Sequence, residues 1–191
     1  QELTKIHEVC RKYDMYLFVD GARLGYGLGS EKNDVSLKDL AALTDVFYFG
    51  GTKCGALFGE AVVLLADSLK HRFKTYMKQN GAVLAKGWLL GLQFYALLEN
   101  GEYFKITARA DKLAMRLKEA FAEKGIPSAV DSPTNQQFVI LTPLQEEKLA
   151  EKYIFEGMGT LEDGRKKVRF CTSWSTTEDE IDALIADIQV L

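Results

Sequence analysis

The chain has 191 residues, 47% of them hydrophobic and 27% charged, which is typical of a globular protein rather than of a disordered or collagen-like one. Its formal net charge is −3, so it lacks the basic excess that nucleic-acid binding requires. No apolar run approaches the roughly 20 residues that a membrane-spanning helix needs. Three scattered cysteines and two histidines without metal-ligand spacing predict no disulfide framework, no metal site and a reducing, cytoplasmic compartment.

The first hundred residues alternate predicted helices with short apolar strands, which is the pattern of an α/β domain. A helical stripe over residues 3–13 precedes an apolar run at 15–19, which predicts a strand buried on both faces. The glycine-rich stretch 25–29 is predicted as a loop. The pattern then predicts a short helix at 37–43, strands at 46–49 and 61–65, and long helices at 67–80 and 83–99.

Beyond residue 100 the pattern changes. A helix over 106–121 ends at Gly125 and Pro127, and strands are predicted at 138–141 and 168–172. A helix is predicted at 146–153, and Thr177 with Glu180 has the spacing of a capping box that begins the last helix. We therefore predict two domains: residues 1–100, the end of a larger α/β domain, and residues 101–191, a smaller α+β domain.

Two predicted strand ends carry polar side chains that are capable of catalysis or ligand binding. Asp20 follows the first strand, and Lys53 follows the second in a glycine-rich turn. Because ligands of open α/β sheets bind beyond the carboxyl ends of the strands, we expect both residues to face one crevice. Alone, each has a simpler interpretation, since Asp-Gly is common in turns and a lysine in a loop is usually solvated. The turn lacks the spacing of a phosphate-binding P-loop.

Chemistry that depends on pyridoxal 5′-phosphate (PLP) uses this combination of side chains. A lysine forms a Schiff base with the cofactor aldehyde, and a carboxylate keeps the pyridine nitrogen protonated. An arginine holds the α-carboxylate of an amino-acid substrate, preferably through two parallel hydrogen bonds. Asp20, Lys53 and Arg169 could fill these three positions.

Five segments, in the same order and with matching spacing, resemble the threonine aldolases. These belong to the β-eliminating lyase group of fold type I PLP enzymes. Residues 17–24 (LFVDGARL) resemble the aspartate motif, and residues 49–55 (FGGTKCG) resemble the Schiff-base lysine motif, with residues 59–63 (GEAVV) as the following strand. Residues 78–81 with Lys86, and residues 169–174 (RFCTSW), resemble segments of the low-specificity L-threonine aldolases. The resemblance covers nearly the whole chain and corresponds to the C-terminal half of such an enzyme.

The resemblance implies a role for each matched position. Lys53 would carry the cofactor, Asp20 would pair with the pyridine nitrogen, and Arg23 and Thr52 would lie beside the cofactor. Arg169 would be the main substrate-carboxylate clamp, with Arg23 as a second contact. Strand alternation places Arg169 opposite to its neighbours Val168 and Phe170.

Two further lysines have two interpretations. The resemblance implies that Lys78 and Lys86 reach a site across a subunit interface, whereas a solvated helix face explains them equally well.

The expected function is cleavage of a β-hydroxy-α-amino acid, such as threonine or allo-threonine, to glycine and an aldehyde by a homodimer or tetramer. Asp20, Lys53 and Arg169 would equally serve a β-eliminating lyase or an aminotransferase. A third alternative is a non-catalytic fragment that packs as an oligomeric unit. The chain starts at Gln1 without Met, and no phosphate-binding loop precedes Asp20, so we expect an incomplete copy with weak PLP binding or none.

Overall fold

The computed structural model describes residues 1–191, which form two compact units. The first unit comprises Gln1–Leu28 and Asn33–Lys105, and the second comprises Gly29–Lys32 and Ile106–Leu191. The main segment of the second unit thus starts at Ile106, whereas the sequence prediction placed the boundary after residue 100. No helix combines the length and the apolar composition needed to cross a bilayer.

The first unit contains a three-stranded sheet and most of the helices of the chain. Its elements are α1 (Glu2–Lys12), β1 (Phe18–Val19), α2 (Leu24–Gly29), α3 (Leu37–Leu43), β2 (Val46–Gly50), β3 (Glu60–Leu64), α4 (Asp67–Lys70), α5 (Phe73–Gln79) and α6 (Trp88–Glu99). The strand order is β1-β2-β3, with β1 parallel and β3 antiparallel to β2. The β2 side chains Phe47 and Phe49 are buried on one face of this sheet, whereas Phe18 and Val62 are exposed.

The strand predicted at 15–19 is shorter and more exposed than expected. Only Phe18–Val19 pair with a neighbour, and Met15, Tyr16 and Phe18 are exposed. The expectation of burial on both faces is therefore wrong in this structure. An apolar run is buried only when other elements cover both sheet faces, and the exposed Met15, Tyr16 and Phe18 side chains have no such cover.

The predicted loop at residues 25–29 is also wrong, because these residues form α2. Glycine has poor helix propensity, but tertiary packing overrides it here. Tyr26 in the middle of this helix is buried, and its hydroxyl donates a hydrogen bond to the Lys53 carbonyl oxygen. The predicted helix at 67–80 is divided into α4 and α5 at Arg72, whose φ of 56° is left-handed.

The second unit is a four-stranded antiparallel sheet with helices. Its elements are most of α7 (Glu102–Glu123), then β4 (Ser128–Val130), β5 (Gln136–Leu141), α8 (Pro143–Ala150), β6 (Glu156–Thr160), β7 (Lys166–Cys171) and α9 (Glu178–Gln189), with strand order β4-β5-β7-β6. Sequence reasoning missed β4 and β6. Both are short and largely exposed, and β6 contains two glycines, so neither shows a hydrophobic alternation.

One hydrophobic core holds the second unit together. α7 contributes Leu113, Leu117 and Phe121 at helical spacing, which confirms the predicted stripe. The core also contains Val139, Leu141, Val168, Phe170, Ile181, Leu184 and Ile188 from β5, β7 and α9. The capping box at Thr177 and Glu180 is present and begins α9 as predicted.

A buried carboxyl group lies beside this core. Asp111 of α7 is 4% exposed, and neither of its carboxylate oxygens has a hydrogen-bond partner. Burial disfavours the charged form and raises the pKa of Asp111 to about 7. Between about pH 4 and pH 7, the folded state therefore keeps Asp111 protonated, whereas the unfolded chain, with an ordinary aspartate pKa of about 4, has released this proton.

This difference predicts that stability falls as pH rises from about 4 to about 7, because in that window the folded state binds more protons than the unfolded state. We expect Asp111→Asn, which cannot ionise, to flatten this dependence and to be more stable than the parent near pH 7. Each pKa unit corresponds to about 1.4 kcal/mol, so the gain should reach a few kcal/mol at most. Urea unfolding at several pH values measures it, and identical slopes for the two proteins would contradict the assignment.

Candidate active site

Asp20 and Lys53 lie at neighbouring strand ends of the first unit. β1 and β2 are parallel and paired with Val19 opposite Phe47, so their carboxyl ends meet at one edge of the sheet. Asp20 directly follows β1, and Lys53 lies in the turn that follows β2. Both side chains are exposed there. The two residues therefore lie at the same edge of this sheet.

Glycine at both strand ends brings the two backbones into contact. The Gly50 amide donates a hydrogen bond of 2.8 Å to the Gly21 carbonyl oxygen. A Cβ atom at Gly21 would lie 1.6 Å from the Tyr48 carbonyl oxygen, and one at Gly50 would lie 2.3 Å from the Ala22 carbonyl oxygen. No other residue type fits either position without moving the backbone.

The Asp20 carboxylate is oriented by two donors. The Tyr48 hydroxyl and the Ala22 amide, the latter at 3.1 Å, both donate to Oδ1, which leaves Oδ2 without a hydrogen bond. The Tyr48 hydrogen bond, the Ala22 amide and the positive charge of Lys53 together lower the pKa of Asp20.

The turn that carries Lys53 is held by its main chain. The amides of Cys54 and Ala56 donate to the Gly51 carbonyl oxygen at 2.9 and 3.0 Å, and Tyr26 donates to the Lys53 carbonyl oxygen. The Lys53 side chain makes no hydrogen bond and no ion pair. Its amino group is thus available to a ligand, while its backbone is fixed.

Two further side chains anchor this turn. The Glu60 carboxylate accepts a hydrogen bond of 2.6 Å from the Gly51 amide, and the buried Tyr103 hydroxyl donates at 3.0 Å to the Gly50 carbonyl oxygen. Cys54 is fully buried, and burial raises the pKa of its thiol, which suits a packing residue rather than a nucleophile.

Sequence reasoning missed the four residues that position the site: Tyr26, Tyr48, Glu60 and Tyr103. Strand alternation could have placed Tyr48 on one face of β2, but the partner across the sheet was not readable from the chain.

The other sequence-predicted site residues lie beside the two strand ends, around α5 and α6, and in β7 of the second unit. Arg23 and Thr52 belong to the same two strand-end segments as Asp20 and Lys53. Lys78 lies in the last turn of α5 and Lys86 just before α6, and both are exposed.

Arg169 belongs to the second unit. It lies in β7 between Phe138 of β5 and Glu156 of β6. Its neighbours Val168 and Phe170 are buried in the core, so strand alternation directs Arg169 to the opposite sheet face, as expected. Arg169 is half-buried, and its Nε atom is buried without a hydrogen-bond partner.

Comparison with known proteins assigns the chain to a family. The profile of the beta-eliminating lyase family matches residues 1–143. A low specificity L-threonine aldolase from Pseudomonas sp. is 30% identical over the whole chain, which spans 54% of that protein. The threonine aldolase structure from Leishmania major is 41% identical with a TM-score of 0.97, over the whole chain and 56% of its own length.

A more distant structure shows only the fold. A putative aromatic amino acid beta-eliminating lyase/threonine aldolase from Exiguobacterium sp. is 16% identical with a TM-score of 0.66. The fold is therefore that of part of a fold type I PLP-dependent enzyme, as the sequence predicted. The chain belongs to the beta-eliminating lyase family, whose members depend on PLP, and it spans about half the length of the threonine aldolases that it matches.

The glycine contact at the strand ends can be tested by a matched pair of substitutions. We expect Gly21→Ala to destabilise the first unit by more than about 2 kcal/mol, because its Cβ would overlap the Tyr48 carbonyl oxygen. Gly27→Ala in α2 meets nothing within 4 Å and should be neutral or stabilise by up to about 1 kcal/mol. Chemical denaturation monitored by circular dichroism compares them, and equal stabilities would contradict the close approach.

Proposed function

We propose that the complete protein is a PLP-dependent carbon–carbon lyase that cleaves a β-hydroxy-α-amino acid, such as threonine or allo-threonine, to glycine and an aldehyde. The main observation behind the proposal is that Asp20 and Lys53 lie at the same edge of the sheet. They do so in a chain that is 41% identical to a threonine aldolase of the same fold. Family membership alone would leave the bond that is broken undecided.

The donor set at the strand ends fits PLP. Lys53 offers an unpaired amino group, and Asp20 at the neighbouring strand end offers an unpaired Oδ2. The glycines at positions 21 and 50 keep bulky side chains away from this edge. When bound, PLP supplies an electron-withdrawing ring that stabilises negative charge on the substrate α-carbon.

Each residue would contribute a separate step. The amine of Lys53 would hold the cofactor, since no hydrogen bond or ion pair within the chain occupies it. The hydrogen bonds from Tyr48 and Ala22, with a smaller effect of the Lys53 charge, lower the pKa of Asp20, so its ionised carboxylate would pair with the pyridine nitrogen. Arg23 and Thr52 lie in the segments beside these two residues and would contact the cofactor.

Arg169 is the proposed clamp for the substrate carboxylate. Its guanidinium is half-buried, and Nε lacks a partner, which leaves a fixed donor for a carboxylate oxygen. Arg23 would add a second contact. Lys78 and Lys86 are exposed, which suits either a role across a subunit interface or simple solvation.

A homo-oligomer located in the cytoplasm is part of the proposal. Trp88, Leu92 and Tyr95 form an exposed stripe along α6, and large exposed apolar stripes are typical of subunit contacts. The widely spaced free cysteines support a reducing compartment.

β-Elimination is the second candidate, because the matching family is named for it. The products separate the two reactions: glycine with an aldehyde marks carbon–carbon cleavage, whereas an α-keto acid with ammonia marks elimination.

The role of Lys53 is tested in the full-length protein by borohydride reduction with PLP, followed by peptide mass mapping. We expect the pyridoxyl group on the peptide that contains Lys53, and loss of the visible absorbance band in Lys53→Ala. Lys38→Ala, an exposed lysine of α3 in the same unit, should keep both signals. A band that persists in Lys53→Ala would overturn the assignment.

The role of Arg169 is tested by Arg169→Lys. We expect KM for the amino acid to rise by about 10- to 100-fold, because lysine keeps the charge but loses the forked hydrogen bonds. Arg165→Lys in the same hairpin, where Arg165 pairs with Asp163 at 2.7 Å, should leave KM unchanged. If both variants behave alike under steady-state kinetics, Arg169 is not the clamp.

A further inference from the structure

The Tyr48–Asp20 hydrogen bond orients the carboxylate as well as lowering its pKa. Tyr48 lies in the middle of β2, and its hydroxyl crosses to the neighbouring strand end to donate to Oδ1 of Asp20. The Tyr48 ring stacks on Phe18 of β1, with centroids 6.0 Å apart and planes at 27°. The phenol is therefore held by two neighbouring strands rather than by a flexible loop.

The two oxygens of the Asp20 carboxylate have different hydrogen-bond partners. Oδ1 accepts from both the Tyr48 hydroxyl and the Ala22 amide, whereas Oδ2 accepts from neither. A carboxylate fixed by two donors on one oxygen cannot rotate freely about its Cβ–Cγ bond. Its second oxygen therefore points in a defined direction.

We propose that Tyr48 is a positioning residue that fixes Oδ1 of Asp20 and so directs Oδ2 toward the ring nitrogen of the cofactor. This inference rests on the proposed function, since it assigns Asp20 to the pyridine nitrogen. Tyr48 acts only through Asp20, and its hydroxyl does not itself contact the reacting atoms.

Interactions around the two residues keep Tyr48 protonated and Asp20 ionised. The Asp20 carboxylate raises the pKa of Tyr48 to about 12, with a smaller contribution from Glu60 of β3. Tyr48 therefore remains a donor at every physiological pH. In return, its hydrogen bond, with the Ala22 amide and Lys53, lowers the pKa of Asp20 and keeps that carboxylate ionised.

A double-mutant cycle on the full-length protein tests the proposal. PLP affinity is measured by titrating the apoprotein for the parent, Tyr48→Phe, Asp20→Asn and the double variant. Phenylalanine keeps the ring that stacks on Phe18 and removes only the hydroxyl. We expect Tyr48→Phe to weaken PLP binding about tenfold, the typical effect of losing a hydrogen bond to a charged group.

The cycle separates positioning from a purely structural role. If Tyr48 acts through Asp20, Tyr48→Phe has no further effect in the Asp20→Asn background. An equal loss in both backgrounds would overturn the proposal, as would a parent-like affinity of Tyr48→Phe. Tyr153→Phe is the matched control, because Tyr153 donates a hydrogen bond of 2.6 Å to Asp187 in the second unit, and its loss should not change PLP affinity.

A second readout needs no cofactor. Infrared titration of the carboxylates in the apoprotein, with Asp20→Asn to identify the Asp20 band, should show a higher Asp20 pKa in Tyr48→Phe than in the parent. An unchanged pKa would overturn the inference on its own. If the parent binds PLP at Lys53 and Tyr48→Phe is normal, only this inference fails, whereas a parent without PLP on Lys53 defeats the proposed function as well.

Discussion

The parallel contact between the ends of β1 and β2 is the constraint on which the candidate site depends. The Gly50 amide and the Gly21 carbonyl oxygen close this contact, and the missing Cβ atoms allow it. Because the contact is made by main chain, it sets the spacing of Asp20 and the lysine turn independently of side-chain rotamers. The proposed site, in which Asp20 and Lys53 contact opposite ends of one cofactor ring, requires a fixed spacing of this kind.

A second group of interactions fixes the lysine turn and leaves the lysine itself unbound. Tyr26, Glu60 and Tyr103 all bond to main-chain atoms of residues 50–53. Tyr26 and Tyr103 are buried, so their hydrogen bonds are shielded from water and hold the backbone firmly. The turn is therefore fixed while the Lys53 side chain forms no hydrogen bond, which fits the proposed attachment of a cofactor there.

The regions where sequence reasoning succeeded share a local physical signal. The stripe of α7 and the capping box of α9 arise from contacts between residues three or four positions apart. The errors have non-local causes. The segment 25–29 is helical because Tyr26 packs against the lysine turn, and Met15, Tyr16 and Phe18 are exposed because no element of the chain covers them.

Local patterns in the chain were enough to identify the chemical groups at the two strand ends and the family, because strand ends, glycines and motif spacing are local properties. The unpaired oxygen of Asp20 and the tyrosines that position the candidate site could be identified only from the folded chain. The hydrogen bonds that decide this join residues 28, 27 and 53 positions apart. Strand pairing brings Tyr48 to Asp20, and the packing of α2 and α7 brings Tyr26 and Tyr103 to the lysine turn. The hydrophobic period of a single segment contains no information about such distant partners.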